Sequence, residues 1–378
     1  MRGARADAQG AEIKIVFASM SDAQAIKLVA AAAAAAGLGL GYLLASLTGK
    51  KKAPPSWGWG WFTDRLKPFS FSASDGPKSI LVLDGKLPVK SKGPLLWLHQ
   101  APEELVGAPS ASAEAISVPV GENAYAVDLR ASEAQLAMLL REHGDFKWAS
   151  PRDTLGLPAA GRATQTEIEG AVRAVSLLAW HRAHAYSGVD GVQTRPPPAG
   201  SDGRRRKLPS GRSLYPRVDP VAICLCISAD GERCLLGRQA TFPKGMYTCI
   251  SGFVEHGESV ERAAAREVLE ETKVKVAAAN LVASQPWPCG RGNSCELMLA
   301  VAARAERSGE AIDTGTKEGG EAGSGELEAA RWFDRAQAKR MLDRANGKLS
   351  DRGEWVPPAL AIAHHLVARW VEGTLAVP

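Results

Sequence analysis

The amino-acid sequence predicts an α+β fold built from two globular parts, on three observations. Apolar runs of strand length occur in both halves of the chain, next to longer segments in which apolar residues recur at helical spacing. Residues 187–213 are rich in Gly, Pro and basic residues, which is typical of a linker. An uncharged run rich in Ala, Leu and Gly at 28–49 precedes both parts. We therefore expect a smaller α+β domain at 75–186 and a larger domain at 214–373.

The composition is that of a folded protein without an obvious charged partner. Of the 378 residues, 45% are hydrophobic, which suffices for buried cores. The 46 basic and 41 acidic residues leave a formal charge of +5, which is too small to predict a specific nucleic-acid partner. None of the six cysteines forms a C-x-x-C pair, so neither a disulfide framework nor a zinc site is indicated.

The segment 28–49 is long enough to span a bilayer as a helix. Three lysines follow it directly, and three tryptophans come at 57–61, as interfacial aromatic residues do. We expect a transmembrane helix at 28–49, between a leader at 1–27 and a linker at 50–74. A signal peptide, an Ala-rich soluble helix and a disordered targeting leader are the alternatives. The lysines favour a globular part on the cytosolic or equivalent side, and the basic, Ala-rich start leaves a mitochondrial membrane open.

Both globular parts show strand and helix patterns. In the first part, these patterns predict strands at 80–83, 95–98 and 124–129 and helices at 132–143 and 164–184. In the second part, a strand at 221–227 is followed by the turn residues Asp230 and Gly231 and by a partner strand at 234–238. The chain closes with a helix at 358–371, whose prolines suit a first turn.

The most informative segment is a helix rich in acidic residues. Ser259 is a favourable N-cap residue, so we expect a helix over 259–271. Glu267, Glu270 and Glu271 are spaced i, i+3 and i+4, which places their carboxylates on one side of that helix. Apolar residues four apart form another side, which suits packing on a core.

Carboxylates at this spacing repel one another, so the helix needs a reason to gather them. A hard divalent cation such as Mg²⁺ or Mn²⁺ supplies one, because it binds carboxylate oxygens and bridges to substrate phosphates. Such a cation also polarises a phosphoryl oxygen and lowers the pKa of a bound water, which makes a nucleophile for attack on phosphorus. The alternative is a solvated acidic helix face without a ligand.

The whole segment resembles the Nudix box, G-x5-E-x7-R-E-U-x-E-E-x-G-U, in which U is a bulky aliphatic residue. The matching residues are Gly252, Glu258, Arg266, Glu267, Val268, Glu270, Glu271 and Val274. Lys273 departs from the pattern, because it stands where the family has the glycine that ends the helix. A left-handed C-cap at a lysine costs about 1 kcal/mol but removes no ligand. The resemblance implies the Nudix fold, in which a mixed sheet lies between helices.

The resemblance also implies roles for individual residues. The expected metal ligands are Glu267 and Glu271, with Glu270 near them, the backbone carbonyl of Ser251, and Glu326, which matches another family carboxylate. Arg266 is expected to orient a glutamate through an ion pair. The catalytic residues are then Arg266, Glu267 and Glu270, and the proton of the attacking water goes to Glu267, Glu270 or Glu326.

A second motif resembles the signature of the NADH pyrophosphatase branch of the family. Residues 284–288 read Ser-Gln-Pro-Trp-Pro, as in S-Q-P-W-P-F-P-x-S, but the match breaks at Cys289. This resemblance implies contacts to a dinucleotide from Tyr215, Gln285, Trp287, Ser294 and Ala363. The branch carries two C-x2-C pairs that bind zinc, whereas Ser187 and Asp190 stand in the place of the first pair here. We therefore interpret 187–213 as a degenerate zinc ribbon or linker and expect no zinc.

Together the resemblances imply a Nudix hydrolase that uses Mg²⁺ or Mn²⁺ to split NADH into nicotinamide mononucleotide and AMP, with NADPH and NAD⁺ as further candidates. A second hypothesis keeps the cleavage and changes the substrate to ADP-ribose, a coenzyme A derivative or NAD-capped RNA. A third is a membrane-bound subunit that keeps the fold without turnover, which the intact carboxylates of the box disfavour. A homodimer and a membrane complex are both compatible with the sequence.

Overall fold

The computed structural model describes residues 76–106, 115–158, 160–199, 201–288, 290, 295–315 and 326–378. All of these residues belong to one compact unit. Within these ranges, no helix is both long and apolar enough to cross a membrane. The expected membrane segment at 28–49, with the leader and linker that flank it, lies outside the described residues.

A three-stranded sheet forms the centre of the N-terminal part. Its strands are β1 (Lys78–Leu81), β3 (Ile116–Gly121) and β4 (Ala124–Asp128), and β4 lies in the middle, parallel to β1 and antiparallel to β3. A separate antiparallel pair is formed by β2 (Leu87–Lys90) and β5 (Phe146–Ala149). The strand predicted at 95–98 is wrong. Leu95 bridges to β2 and Leu98 to β1, so this segment crosses between two sheets and pairs with neither for more than one residue.

Helices cover both faces of this small sheet. They are α1 (Pro102–Val106), α2 (Glu133–Leu140) with a 3-10 turn at Arg141–His143, α3 (Pro151–Thr154) and α4 (Gln165–Ala183). Ser132, Ser150 and Thr164 begin the last three helices, each with a capping box. Ile168 of α4 packs in one core with Ile80 of β1, whereas the next residue of β1, Leu81, packs in the other core with α2.

The region 187–213 is held together by a buried arginine. Arg206 lies on β6 (Arg206–Lys207), which pairs with β7 (Ser213–Leu214). Its guanidinium donates to the hydroxyl and the carbonyl of Thr194 at 2.5 and 3.3 Å, and to the carbonyl of His181 at 3.3 Å. His181 belongs to α4, so hydrogen bonds from one side chain join this region to the helix before it.

A six-stranded mixed sheet forms the centre of the C-terminal part. Its strands are β8 (Asp219–Ile227), β9 (Arg233–Arg238), β10 (Ile250–Phe253), β11 (Val276–Trp287), β12 (Glu296–Ala305) and β13 (Ala329–Asp334). Their order is β11-β12-β8-β9-β13, and β10 also pairs with β8. Only β8 and β12 run parallel, and a bulge at Val282 interrupts the pairing of β11 with β12. The mixed sheet implied by the Nudix resemblance is confirmed.

Helices lie on both faces of the mixed sheet. On one face, α5 (Val260–Thr272) packs against alternate residues of β8 that begin with Ala222. On the other face, α6 (Arg335–Ala345) and α7 (Ile362–Val371) pack against the intervening residues, which begin with Ile223. This division follows from the pleat of a strand, on which successive side chains point to opposite faces.

The last helix, α7, begins four residues later than the sequence predicts. A helix from Pro358 would need the carbonyl of Pro358 to accept from the amide of Ile362. That carbonyl instead accepts from Ala361 at 3.0 Å, and the Ile362 amide donates to the side chain of Gln285 at 2.8 Å. The prolines therefore belong to a loop, and Ala361 is the N-cap.

Candidate active site

Three acidic residues of the site, Glu267, Glu270 and Glu271, lie on α5, which the sequence predicts almost to the residue. The hydroxyl of Ser259 accepts from the amide of Arg262 at 3.4 Å, and the helix runs to Thr272. Its apolar residues Ala264 and Val268 are buried against the sheet. Lys273 ends the helix in the left-handed conformation, with φ of 62°, as the box pattern requires of this position.

One arginine binds three of the glutamates. Arg266 donates to both carboxylate oxygens of Glu258 at 2.9 and 3.0 Å. It also donates to Glu267 at 2.8 Å, to Glu270 at 3.1 Å and to the carbonyl of Phe253 at 2.9 Å. The hydrogen bonds from Arg266 lower the pKa of Glu258. The predicted ion pair of Arg266 is present, and three carboxylates share it.

Glu271 lies in a different environment, away from this arginine. Its Oε2 atom is buried and has no hydrogen-bond partner among the described residues. Burial raises the pKa of Glu271 to about 8, and the charges of Glu267, Glu326 and Glu270 add to the effect. A buried acceptor without a donor is rare in proteins, and a proton or a cation would satisfy this one.

Gly252 allows the carboxylate of Glu267 to lie directly against the backbone of β10. A Cβ atom at residue 252 would come within 1.9 Å of the carboxyl carbon and of Oε1 of Glu267. Burial raises the pKa of Glu267, and Arg266 opposes that rise. The absence of a side chain at Gly252 thus brings Glu267 next to Ser251, the residue expected to offer its carbonyl.

The donor set fits a divalent cation. Carboxylate oxygens are the ligands that Mg²⁺ and Mn²⁺ prefer, and Glu271 offers a buried oxygen that has no other partner among the described residues. The charge of Glu326 raises the pKa of both Glu267 and Glu271, so the three carboxylates are close enough to repel one another. Across the described ranges, no three acidic, His or Cys side chains are close enough to ligate one ion as they stand. Glu267, Glu271 and Glu326, with Ser251, are the residues that would hold the cation.

A cavity of about 480 Å³ has Ser251 in its lining, and the next residue, Gly252, lies against the carboxylate of Glu267. Its lining includes Ser251, Gln285, Trp287 and Ala363, four residues that the sequence predicts for the site. Aromatic and apolar residues from the segments 242–246 and 357–362 line most of the rest. Its size and mixed lining are typical of a small-molecule site, which spans roughly 300–1,000 Å³. We call it the substrate cavity.

Strand β11 presents alternate residues to the substrate cavity. Gln285 and Trp287 line it, whereas Ser284 and Pro286 line a second cavity of about 660 Å³ on the other face of the strand. The side chain of Gln285 is buried and bonds to backbone on both sides of its amide, to Leu360 and to Ile362. Both polar atoms of the Gln285 side chain are therefore directed at the protein backbone.

Two further contacts to a dinucleotide are predicted, from Tyr215 and Ser294. Tyr215 is exposed and lies beside Arg205, whose hydrogen bond lowers the pKa of the phenol. It is not among the residues that line the substrate cavity. Ser294 lies outside the described residues.

Arg152 belongs to the site but has no signal in the sequence. It lies on α3 in the N-terminal part, and its guanidinium carbon is 6.0 Å from the centroid of the Trp287 ring. Among the described residues that line the substrate cavity, it alone carries a charged side chain. Because its partner lies in the other part of the chain, only the tertiary fold reveals it.

The sequence comparisons agree with this geometry. The NUDIX domain family matches residues 218–353. The human NAD-capped RNA hydrolase NUDT12 is 38% identical over 221 residues, which cover 57% of this chain and 44% of that protein. The human NAD(P)H pyrophosphatase NUDT13, mitochondrial, is 39% identical over 204 residues, which cover 53% of each chain. The NAD-capped RNA hydrolase NudC of Mycobacterium bovis is 32% identical over 224 residues, which cover 58% of this chain and 66% of that protein. The chain thus spans about half the length of the two human relatives.

Proposed function

We propose, on the premise that residues 218–353 form a domain of the NUDIX family, that this chain hydrolyses the diphosphate bond of NADH or a related dinucleotide with a divalent cation as cofactor. The products would be AMP and nicotinamide mononucleotide in the redox state of the substrate, which is the reduced form from NADH. Support for this substrate class comes from the names of similar proteins, which are an NAD(P)H pyrophosphatase and NAD-capped RNA hydrolases.

The observation that carries the proposal is the arrangement around Glu271. A buried carboxylate oxygen without a partner among the described residues feels the charges of three further carboxylates, and Ser251, next to the Gly252 that Glu267 lies against, lines the substrate cavity. A cation at the carboxylates would balance both their charge and that of a diphosphate in the cavity. A structural role for the domain explains neither the unpartnered oxygen nor the cavity.

The residues of the site have two kinds of role, which are to hold charge and to position other groups. A Mg²⁺ or Mn²⁺ held by Glu267, Glu271 and Glu326 would supply positive charge near the phosphoryl oxygens and would make water a better nucleophile. Arg266 fixes the carboxylates of Glu267 and Glu270 through its hydrogen bonds. Trp287 lines the substrate cavity, where an aromatic ring can pack against a base or a nicotinamide. Glu267, Glu270 and Glu326 are the candidates for accepting the proton of the attacking water, and single Gln variants distinguish them.

NAD-capped RNA is the second candidate substrate. Two of the three relatives described above are named for its hydrolysis, and its cap contains the same diphosphate linkage as the free dinucleotide. The two substrates differ in the chain that continues beyond the cap. Competition between NADH and NAD-capped RNA for the same preparation shows which of them has the higher kcat/KM.

The experiment is a substrate panel with the full chain. NADH, NADPH, NAD⁺, ADP-ribose, coenzyme A and NAD-capped RNA are incubated with Mg²⁺ or Mn²⁺, and the products are separated by chromatography. We expect cleavage of NADH, and a loss of at least about 100-fold in kcat for Glu271→Gln, because that change removes a charged ligand. Glu261→Gln on the same helix is the control and should keep wild-type activity. Absence of hydrolysis for every diphosphate would favour a subunit without turnover.

We propose in addition that residues 28–49 anchor the chain in a membrane. The support is the uncharged run and the three lysines that follow it. Alkaline carbonate treatment of a membrane fraction should leave the full chain in the pellet, and its release into the supernatant would contradict an anchor. Separation of organelles in the same preparation tests the mitochondrial location.

A further inference from the structure

One side of the substrate cavity is a short loop that leads into α7. Pro357, Pro358, Leu360 and Ala361 of this loop line the cavity. We call residues 357–361 the wall loop. It shares the lining of the cavity with Trp287 and Met298, so a displacement of the loop would change the shape of the cavity.

Every carbonyl of the wall loop accepts a hydrogen bond. From residue 357 to residue 361 the donors are, in order, the His364 ring, the amide of Ala361, the His365 ring, the Gln285 side chain and the amide of His364, at 2.8, 3.0, 2.7, 2.8 and 3.0 Å. Three of these five donors are side chains from outside the loop. The carbonyls of this loop are therefore as fully hydrogen-bonded as those of a helix or a sheet.

Gln285 also supplies the cap that α7 lacks. The N-cap residue Ala361 has no side-chain acceptor, and no side-chain hydrogen bond forms at that position. The Oε1 atom of Gln285 accepts from the amide of Ile362, the first residue of the helix, at 2.8 Å. A residue of β11 thus does for α7 what Ser259 does for α5.

The two histidines act as neutral donors. Both are buried, and burial lowers the pKa of each, to about 4 for His365. A backbone carbonyl only accepts hydrogen bonds, so at neutral pH the proton lies on Nδ1 of His364 and on Nε2 of His365. Each ring is therefore fixed in one tautomer by its carbonyl in the wall loop.

We infer that Gln285, His364 and His365 form a clamp on the wall loop, and that all three are positioning residues which act on the substrate through that loop. For Gln285 this differs from the direct dinucleotide contact that the sequence motif implies. Its buried amide uses both its nitrogen and its oxygen on the backbone of the wall loop and α7. The kinetic consequence of this inference rests on the proposed function. Its structural consequence rests on the hydrogen bonds alone.

The structural consequence can be measured without a substrate. Hydrogen exchange of the full chain is followed by mass spectrometry on peptides that cover 357–366. Gln285→Leu should speed exchange of the Ile362 amide about tenfold, because the amide loses its acceptor. Gln285→Glu keeps an acceptor and loses the donor, so exchange at Ile362 should stay closer to wild type. The control is Gln193→Leu at an exposed position. Unchanged exchange in Gln285→Leu would overturn the clamp whatever the activity.

The kinetic consequence separates a positioning role from a direct contact. Gln285→Leu and His365→Leu should each raise KM for NADH about tenfold with little change in kcat, because the glutamates stay in place. The control His143→Leu changes an exposed histidine.

The double variant decides between the two roles. A shared wall loop predicts that Gln285→Leu with His365→Leu has a KM close to that of either single variant, because the loop is already released. A direct contact from Gln285 predicts that the two effects multiply, to about 100-fold. His365→Gln, which restores a donor, should recover part of the loss. If the wild-type chain cleaves no dinucleotide, the proposed function fails, and the exchange experiment still decides the clamp.

Discussion

At the residue scale, the ionisation of Glu271 makes the stability of the protein depend on pH and on cation binding. The pKa of its carboxyl is about 8 in the metal-free fold against 4.5 as an ordinary value, mainly because of burial. The folded chain therefore binds a proton that the unfolded chain has released between these two values. By linkage, the free energy of unfolding falls as pH rises through that interval, and the loss is complete above the folded pKa.

We expect the melting temperature of the metal-free protein to fall between pH 6 and pH 9. Mn²⁺ should restore it at the higher pH, because the cation replaces the proton. In Glu271→Gln the fall should be smaller, since the amide does not titrate. Thermal unfolding in chelator, followed by circular dichroism, measures all three. An identical pH slope in wild type and variant would contradict a raised pKa at Glu271.

The sequence predicts the glutamates of the candidate site better than the contacts that other side chains make there. Glu267, Glu270 and Glu271 follow from local spacing, since residues three and four apart on a helix share one side. The contacts of Gln285 with the wall loop, and of Arg152 with Trp287, join segments that are distant in the sequence. No local pattern encodes such pairs, so the sequence points to Gln285 but not to its partners.

At the element scale, the end of α5 carries strain that a glycine would remove. Lys273 has φ of 62°, a conformation that costs a non-glycine residue about 1 kcal/mol. Lys273→Gly should raise the free energy of unfolding by up to about 1 kcal/mol in urea titrations, less the entropy that glycine adds to the unfolded chain. Lys275→Gly, at a residue without positive φ, should bring no gain. A loss of stability in Lys273→Gly would show that the lysine side chain has a role of its own.

The element formed by β6 and β7 depends on Arg206. Arg206→Met removes its three hydrogen bonds to Thr194 and His181 and should lower the free energy of unfolding by about 2 kcal/mol or more. The exposed neighbour Arg204→Met is the control. We also predict that a chelator leaves this region unchanged, and stoichiometric zinc in the purified protein would contradict that expectation.

Elements with a local signal are predicted well, and those defined by distant partners are not. The buried strand predicted at 221–227 lies within β8, and α5 begins at its predicted cap. The wrong predictions, a strand at 95–98 and a helix start at Pro358, fall where segments bond to other parts of the fold. Apolar runs and prolines in the sequence do not predict which distant segments these residues bond to.

At the scale of the whole molecule, the substrate cavity takes residues from both halves of the chain. Arg152 of the N-terminal part brings a positive charge to a lining whose other described side chains are uncharged. Arg152→Gln should raise KM for NADH about tenfold, since charge-assisted contacts to a phosphate contribute roughly 1.5–3 kcal/mol. The rise should shrink at high salt. The exposed Arg141→Gln is the control. An unchanged KM at low salt would exclude Arg152 from substrate binding.

The bulge at Val282 determines which residues of β11 face each of the two cavities. A strand turns each successive side chain by half a revolution, so loss of one residue there would exchange every side chain that follows. Ser284 and Pro286 would then enter the substrate cavity, and Gln285 would leave both the wall loop and α7. Residues inserted after Pro288 come after Trp287, the last residue of β11 that lines either cavity, so they leave the orientation of the β11 side chains unchanged. The signature motif can therefore accept inserted residues after Pro288, whereas β11 cannot accept a gain or loss of one residue before Gln285.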